Sequence, residues 1–193
     1  MEYPKHDYVM EKSGLRNECA YKPGADFSQC PHVQEGPRVC DNRKPYDNII
    51  DCIGWTPMVR INNITKKEGI KCQLYAKCEF MNPGGSVKDR IGRRMILDAE
   101  KQGKIKPGES TLIEPTSGNT GTGLAMVAAV KGYNMVFTLP EKNSMEKQDM
   151  LKGLGADVIA TPNVPVMHQD SHVGTAYRLS KSLENTYMFD QIA

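Results

Sequence analysis

A lysine placed where a turn becomes a helix sets what this chain can do chemically. In Asn82-Pro83-Gly84-Gly85-Ser86-Val87-Lys88-Asp89-Arg90 the Pro-Gly-Gly run excludes a helix or strand interior, and the following Ile91, Met95, Ala99 spacing predicts the inner face of a helix. Lys88 therefore stands at a helix N-terminus, where orphan N–H donors and partial positive charge favour anions over an ammonium. An anionic partner, or an amine held neutral as an imine, resolves that conflict. A solvated surface lysine is the plain alternative.

A second stretch, Glu114-Pro115-Thr116-Ser117-Gly118-Asn119-Thr120-Gly121-Thr122-Gly123, lies between the strand candidate Thr111-Leu112-Ile113 and the apolar run from Leu124 to Val130, which reads as a buried helix. Strand, small-residue loop and helix start together make an anion cradle, because backbone N–H groups converge there. Glycines in such a loop also serve tight helix–sheet packing. The loop gains meaning from the lysine turn ahead of it.

Taken together, the two motifs resemble the paired signature of the pyridoxal-phosphate β-replacement enzymes, the cysteine synthase and cystathionine β-synthase group, from about Ile53 to the last residue. The resemblance implies a fold-type II, tryptophan synthase β-like architecture: an α/β parallel open sheet with flanking helices. It also implies a chain incomplete at its C-terminus, since in the family the sheet continues and a later Gly/Thr-rich loop binds the cofactor phosphate. Pyridoxal 5′-phosphate is the implied cofactor, with Lys88 as Schiff-base lysine and then acid–base group at the substrate Cα. Asn119 would hydrogen-bond the ring's phenolate oxygen. Thr116, Ser117, Gly118 and Thr120 would hold the substrate carboxylate, with Gln191 on the substrate side.

The Lys77 to Phe80 lead-in and Ser171-His172-Val173-Gly174 are more similar to the cystathionine β-synthase branch than to the cysteine synthase branch. That implies a carbon–oxygen lyase of transsulfuration and cysteine biosynthesis, condensing L-serine with L-homocysteine to L-cystathionine. A sulfide-using or hydrogen-sulfide-producing reaction is the alternative, and a non-catalytic haem-binding chain with Lys88 idle is another. A homo-oligomer is implied for the full-length form. Two positions depart from the family pattern: Trp55, where a small polar residue is usual, and Ile192, where a tyrosine is expected after Gln191.

Residues 1 to about 45 differ from residues 46–193, being rich in Pro, Gly, Asp, Asn and Lys with no sustained period. Such a segment lacks the apolar surface to fold alone, so it is a disordered tail or is ordered by a ligand. Cys19 and Pro31-His32 match the spacing by which haem-carrying animal members of the group place a thiolate and an imidazole on either side of haem b. A zinc site from Cys19, Cys30, His32 and Cys40 is the rival, although its spacing fits no common finger pattern.

Several elements must hold the two motifs in place. Gly54 to Pro57 reads as a turn into a strand at Met58–Ile61. Residues 71–78 alternate as a strand, with Cys72 and Cys78 on its buried face. The helix after Lys88 stops by Lys106-Pro107-Gly108, and Ser110–Ile113 is a strand. Asn134–Leu139 is apolar almost throughout, as for a strand buried on both faces. Ser144 caps a helix with Met150, Leu151 and Leu154 inward, ended by Gly155. Asp157–Thr161 is a strand, Ser171 opens a helix with Val173, Tyr177 and Ser180 on one side, and Thr186–Phe189 is the last strand. His168 and His172, on the polar loop entering that helix, suit capping or solvated roles. Strands alternating with helices predict βαβ units and a parallel sheet.

Composition agrees with one soluble core: 193 residues, 39% hydrophobic, formal net charge +2. The charge balance does not point to nucleic acid. No apolar run approaches the roughly 20 residues of a membrane span, and the first residues carry no signal-peptide core, so a cytoplasmic location is expected. Six cysteines without a Cys-x-x-Cys pair predict buried filler or ligands rather than a disulfide framework.

Overall fold

The apolar run at 134–140 becomes an inner strand, as its lack of alternation requires. The computed structural model describes residues 45–116 and 118–189. In chain order the elements are β1 (Met58–Ile61), α1 (Asn63–Lys67), β2 (Leu74–Lys77), α2 (Lys88–Lys101), β3 (Thr111–Glu114), α3 (Asn119–Lys131), β4 (Asn134–Pro140), α4 (Met145–Gly153), β5 (Asp157–Thr161), α5 (His172–Ser182) and β6 (Thr186–Met188). β3 to β6 form a four-stranded sheet in the order β5-β4-β3-β6, parallel throughout. Leu112 pairs with Met135 on one side and Tyr187 on the other.

From β3 the chain steps through β4 to β5, then returns through α5 to β6 on the far side of β3. Right-handed crossovers put α3 and α4 on one face and α5 on the other. The strand order thus reverses between β3 and β6. In an open parallel sheet the crevice beyond the carboxyl ends at such a reversal is where ligands bind. The segment leaving the carboxyl end of β3 is the Gly-rich loop.

The core is built from Leu112, Phe137 and Leu139 of the sheet with Ile96 of α2, Leu124 and Val127 of α3 and Leu151 of α4. Glu100 fastens α2 to the end of α3, accepting from Lys131 Nζ at 2.7 Å and Tyr133 Oη at 2.9 Å. Burial and that carboxylate push the Tyr133 phenol well above its ordinary pKa.

The expectation of a parallel sheet holds for β3 to β6, but β1 and β2 form a separate antiparallel pair. Their connection carries only the five-residue α1, too short to act as a crossover helix. β2 begins at Leu74, so Cys72 precedes the strand and is exposed, while Cys78 is buried as expected. The helix faces are also rotated slightly. α2 buries Gly92, Ile96 and Ala99 and leaves Ile91 at the rim; α4 buries Leu151 and leaves Met150 exposed; α5 buries Ala176, one position before the exposed Tyr177. In each case a face chosen by apolar spacing alone yields to the residue that meets the neighbouring element.

Candidate active site

Lys88 begins α2, as the turn chemistry requires. Its N–H donates to Ser86 Oγ at 3.1 Å, replacing the side-chain cap that α2 lacks at Val87. Asp89 folds back across the turn, its Oδ2 accepting from Gly84 N at 2.5 Å. A Cβ on Gly84 would come within 2.9 Å of the Asp89 carboxyl carbon, and Gly85 has φ +81°, so both glycines are conformational necessities. Burial raises the Asp89 pKa, the Gly84 N–H opposes that rise, and the Glu79 charge adds to it.

α3 starts at Asn119 with Gly118 at its N-cap and no side chain capping it. Gly121 N and Thr122 N both donate to the Gly118 carbonyl, at 2.9 and 3.4 Å. Thr116 and Thr120 are buried, whereas Gly118 and Asn119 are exposed. The two helix starts meet backbone to backbone. A Cβ on Gly123 would lie 2.9 Å from the Lys88 carbonyl oxygen, and one on Gly92 would lie 2.8 Å from the Gly123 carbonyl carbon. Asn119 is one helical turn before Gly123 on α3. The Lys88 backbone therefore packs on α3 one helical turn beyond Asn119, and Lys88 itself is exposed. Ser117, Gln191, Ile192, Cys19, Cys30, His32 and Cys40 lie outside the described residues. Among the described residues no cluster of His, Cys, Asp or Glu could hold a metal ion.

Sequence reasoning missed what anchors the lysine turn. Arg90 grips Glu79 with Nε–Oε2 at 2.8 Å and Nη2–Oε1 at 3.0 Å. Thr56 Oγ1 donates to Glu79 Oε1 at 2.7 Å, and Asn82 Nδ2 donates to Glu79 Oε2 at 2.9 Å. Asn82 Oδ1 in turn accepts from Gly54 N at 2.8 Å, and Lys77 Nζ donates to the Thr56 carbonyl. The Arg90 guanidinium first, then Thr56, hold the Glu79 carboxyl down at a pKa of about 2. These partners are scattered along the chain, so no local pattern could reveal them. The glycines at 92 and 123, each inside a helix, were a visible signal of close packing.

Trp55 now has an account. It has φ +51° directly after Gly54 at φ +98°, a left-handed position that small polar residues tolerate and a bulky one does not. His172 is the first residue of α5, and its cap is Ser171, whose Oγ accepts from Gly174 N at 3.1 Å. Burial, with the Lys142 charge, lowers the His172 pKa, so it stays neutral at pH 7. His168 is exposed, its Nδ1 accepting from Asp170 N.

Lys88 at the start of α2 and the Gly-rich segment at the start of α3 stand on the elements that the sequence motifs anticipate. The family model described as pyridoxal-phosphate dependent enzyme matches residues 49–193. The chain belongs to the pyridoxal-phosphate dependent enzyme family. It is 51% identical over 176 residues to cystathionine beta-synthase of Rattus norvegicus, covering 91% of this chain and 31% of the relative. Cystathionine beta-synthase of Dictyostelium discoideum is 57% identical over 146 residues, 75% of this chain and 29% of that one. Cysteine synthase of Staphylococcus aureus strain N315 is 52% identical over 125 residues, 65% and 39% of the two chains. The crystal structure of a hydrogen sulfide-producing enzyme from Fusobacterium nucleatum superposes with a TM-score of 0.69 at 37% identity, covering 77% of this chain and 46% of that one. The chain spans about a third of the length of the cystathionine beta-synthases it matches.

The family's cofactor finds fitting groups here. Lys88 offers an exposed primary amine, Asn119 an exposed carboxamide and α3 a start without a side-chain cap, and the Lys88 backbone packs on that same helix. The described residues also include no helix long and apolar enough to cross a membrane.

Proposed function

We propose that this chain carries the lysine side of a pyridoxal-phosphate dependent β-replacement site, in which a thiol replaces the β-substituent of an amino acid. The observation that supports it is the meeting of Lys88 with the α3 N-terminus at the β3–β6 reversal. When bound, the cofactor serves as an electron sink that makes a substrate Cα proton removable. Lys88 Nζ would hold the cofactor by its aldehyde carbon until the substrate's amine displaces it and, as the freed amine, would take and return the proton at Cα. Asn119 would orient the ring through its oxygen. Thr116, Ser117, Gly118 and Thr120, with Gln191, would bind the substrate carboxylate, the anion that an uncapped helix start prefers.

The names of the relatives guide the choice of substrates. Cystathionine beta-synthases at about half identity over most of this chain support L-serine and L-homocysteine, giving L-cystathionine. The Staphylococcus aureus and Fusobacterium nucleatum proteins keep sulfide chemistry as the second reading. One incubation separates them: purified protein with pyridoxal phosphate, L-serine and equal L-homocysteine and sulfide, followed by mass spectrometry. Cystathionine should predominate and disappear in Lys88→Ala. Equal product from parent and variant would contradict the assignment of Lys88.

For the N-terminal segment we infer a haem b site that Cys19 and His32 would hold through thiolate and imidazole, in a cytoplasmic, homo-oligomeric enzyme. Cys19→Ser should abolish the haem Soret absorbance. Unchanged haem content would return the zinc or unliganded reading.

A further inference from the structure

Asp89 follows Lys88 at a helix start, within reach of water, yet it is 0% exposed. An acidic residue in a first turn is ordinarily explained by the helix dipole, and such a residue sits at the surface. This one points inward. Its Oδ2 accepts from Gly84 N across the turn, and its Oδ1 is buried without a hydrogen-bond partner among the described residues. Its Cα would stand 3.1 Å from a Cβ on Gly123, so α3 closes off the other side.

The geometry points to Asp89 as the positioning residue for Lys88, its side chain tying Gly84 to α2 so that the turn between them presents the amine in one direction. The inference rests on Lys88 being the cofactor lysine. The closed ring contains Gly85, Ser86, Val87 and Lys88. Gly85, at φ +81°, is the joint about which the turn would otherwise swing. Swinging it breaks a hydrogen bond whose acceptor is buried and leaves that carboxyl group without its partner, so the bond counts for more here than between two exposed groups. Gly84 is required because any larger residue meets the carboxyl group. Gly123 is required because the Lys88 carbonyl rests on it.

Asparagine offers Gly84 N the same oxygen without charge, and alanine offers nothing, so the two substitutions separate a bond from a charge. The protein is treated with pyridoxal phosphate, reduced with borohydride and mapped by peptide mass spectrometry, with exposed Lys66 as the internal reference. Asp89→Ala should lower the Lys88 to Lys66 label ratio about tenfold, as expected for losing one buried hydrogen bond with a charged or acidic group. Asp89→Asn should stay within about twofold of the parent. Gly84→Ala, which displaces the carboxyl group from the opposite side, should resemble Asp89→Ala, and it covers the case in which Asp89→Ala fails to fold. A parental ratio in a folded Asp89→Ala protein would make Asp89 merely structural and overturn the inference. An Asn variant as poor as Ala would overturn the hydrogen-bond account in favour of charge. A parent that shows no preference for Lys88 over Lys66 refutes the cofactor-lysine reading itself, and it does so before any substitution is made.

Discussion

β1 and β3 are each four residues long, and β1 has the more apolar sequence, yet they end in opposite surroundings. In Met58-Val59-Arg60-Ile61 three residues are exposed and the fourth half-buried; in Thr111-Leu112-Ile113-Glu114 the last three are buried. The difference lies in their neighbours. β3 is flanked by β4 and β6 and covered by helices, whereas among the described residues β1 pairs with β2 alone. Around the hairpin, Met58, Tyr75, Phe80 and Met81 are exposed, Phe80 by 72%. Strand residues do not bury themselves; the sheet they join does it for them. The proposed site bridges the two regions. The Glu79–Arg90 network ties the lysine turn to the hairpin, and the Gly92 and Gly123 contacts tie Lys88 to the parallel sheet's own helix.

The largest expected effect tests this contrast directly. Phe137→Ala, in the parallel sheet, should cost about 3–5 kcal/mol in urea unfolding, while Met58→Ala on the hairpin should cost no more than about 0.5 kcal/mol. Similar losses from both would erase the distinction. Next comes the helix contact beneath Lys88: Gly123→Ala forces backbones apart and should cost about 1–3 kcal/mol by the same measurement. Trp55→Asn acts in the other direction. Relieving the left-handed strain on the hairpin side should add about 1 kcal/mol, read as a higher urea midpoint with unchanged slope.

The smallest effect concerns pH. The folded Glu79 pKa of about 2 lies below its ordinary 4.5, so its contribution is complete above pH 4.5 and is lost as pH falls toward 2. Asp89, raised above 3.8, opposes this, favouring the fold when protonated and losing that contribution as pH rises through its folded pKa. Glu79→Gln should lower stability at pH 6 and flatten its fall between pH 4.5 and 2.5, measured as thermal midpoints. The pair is partly exposed, so the change should be modest. A slope as steep as the parent's would remove Glu79 from the acid response.

The parallel sheet was legible because its signals are local: β4 has no polar alternation, Ser171 caps α5, and Gly155 with φ +86° follows α4. The position of Lys88 was legible for the same reason, since Pro83 and Gly84 fix a turn and α2 follows. The separate hairpin was not, because pairing between β1 and β2 depends on what else is present to pair with. Nor were the Asp89–Gly84 bond and the Thr56–Glu79–Asn82–Arg90 network, which join residues through space. Trp55 was visible only as a departure from a pattern, and the left-handed backbone supplied its meaning.

The central claim is that the amine at 88, whose backbone packs on α3, differs chemically from the lysines of the hairpin. Borohydride fixation of pyridoxal phosphate followed by peptide mapping measures it. The account predicts label concentrated on Lys88, with Lys66, Lys67 and Lys71 far behind. Label spread evenly over those four lysines would contradict it.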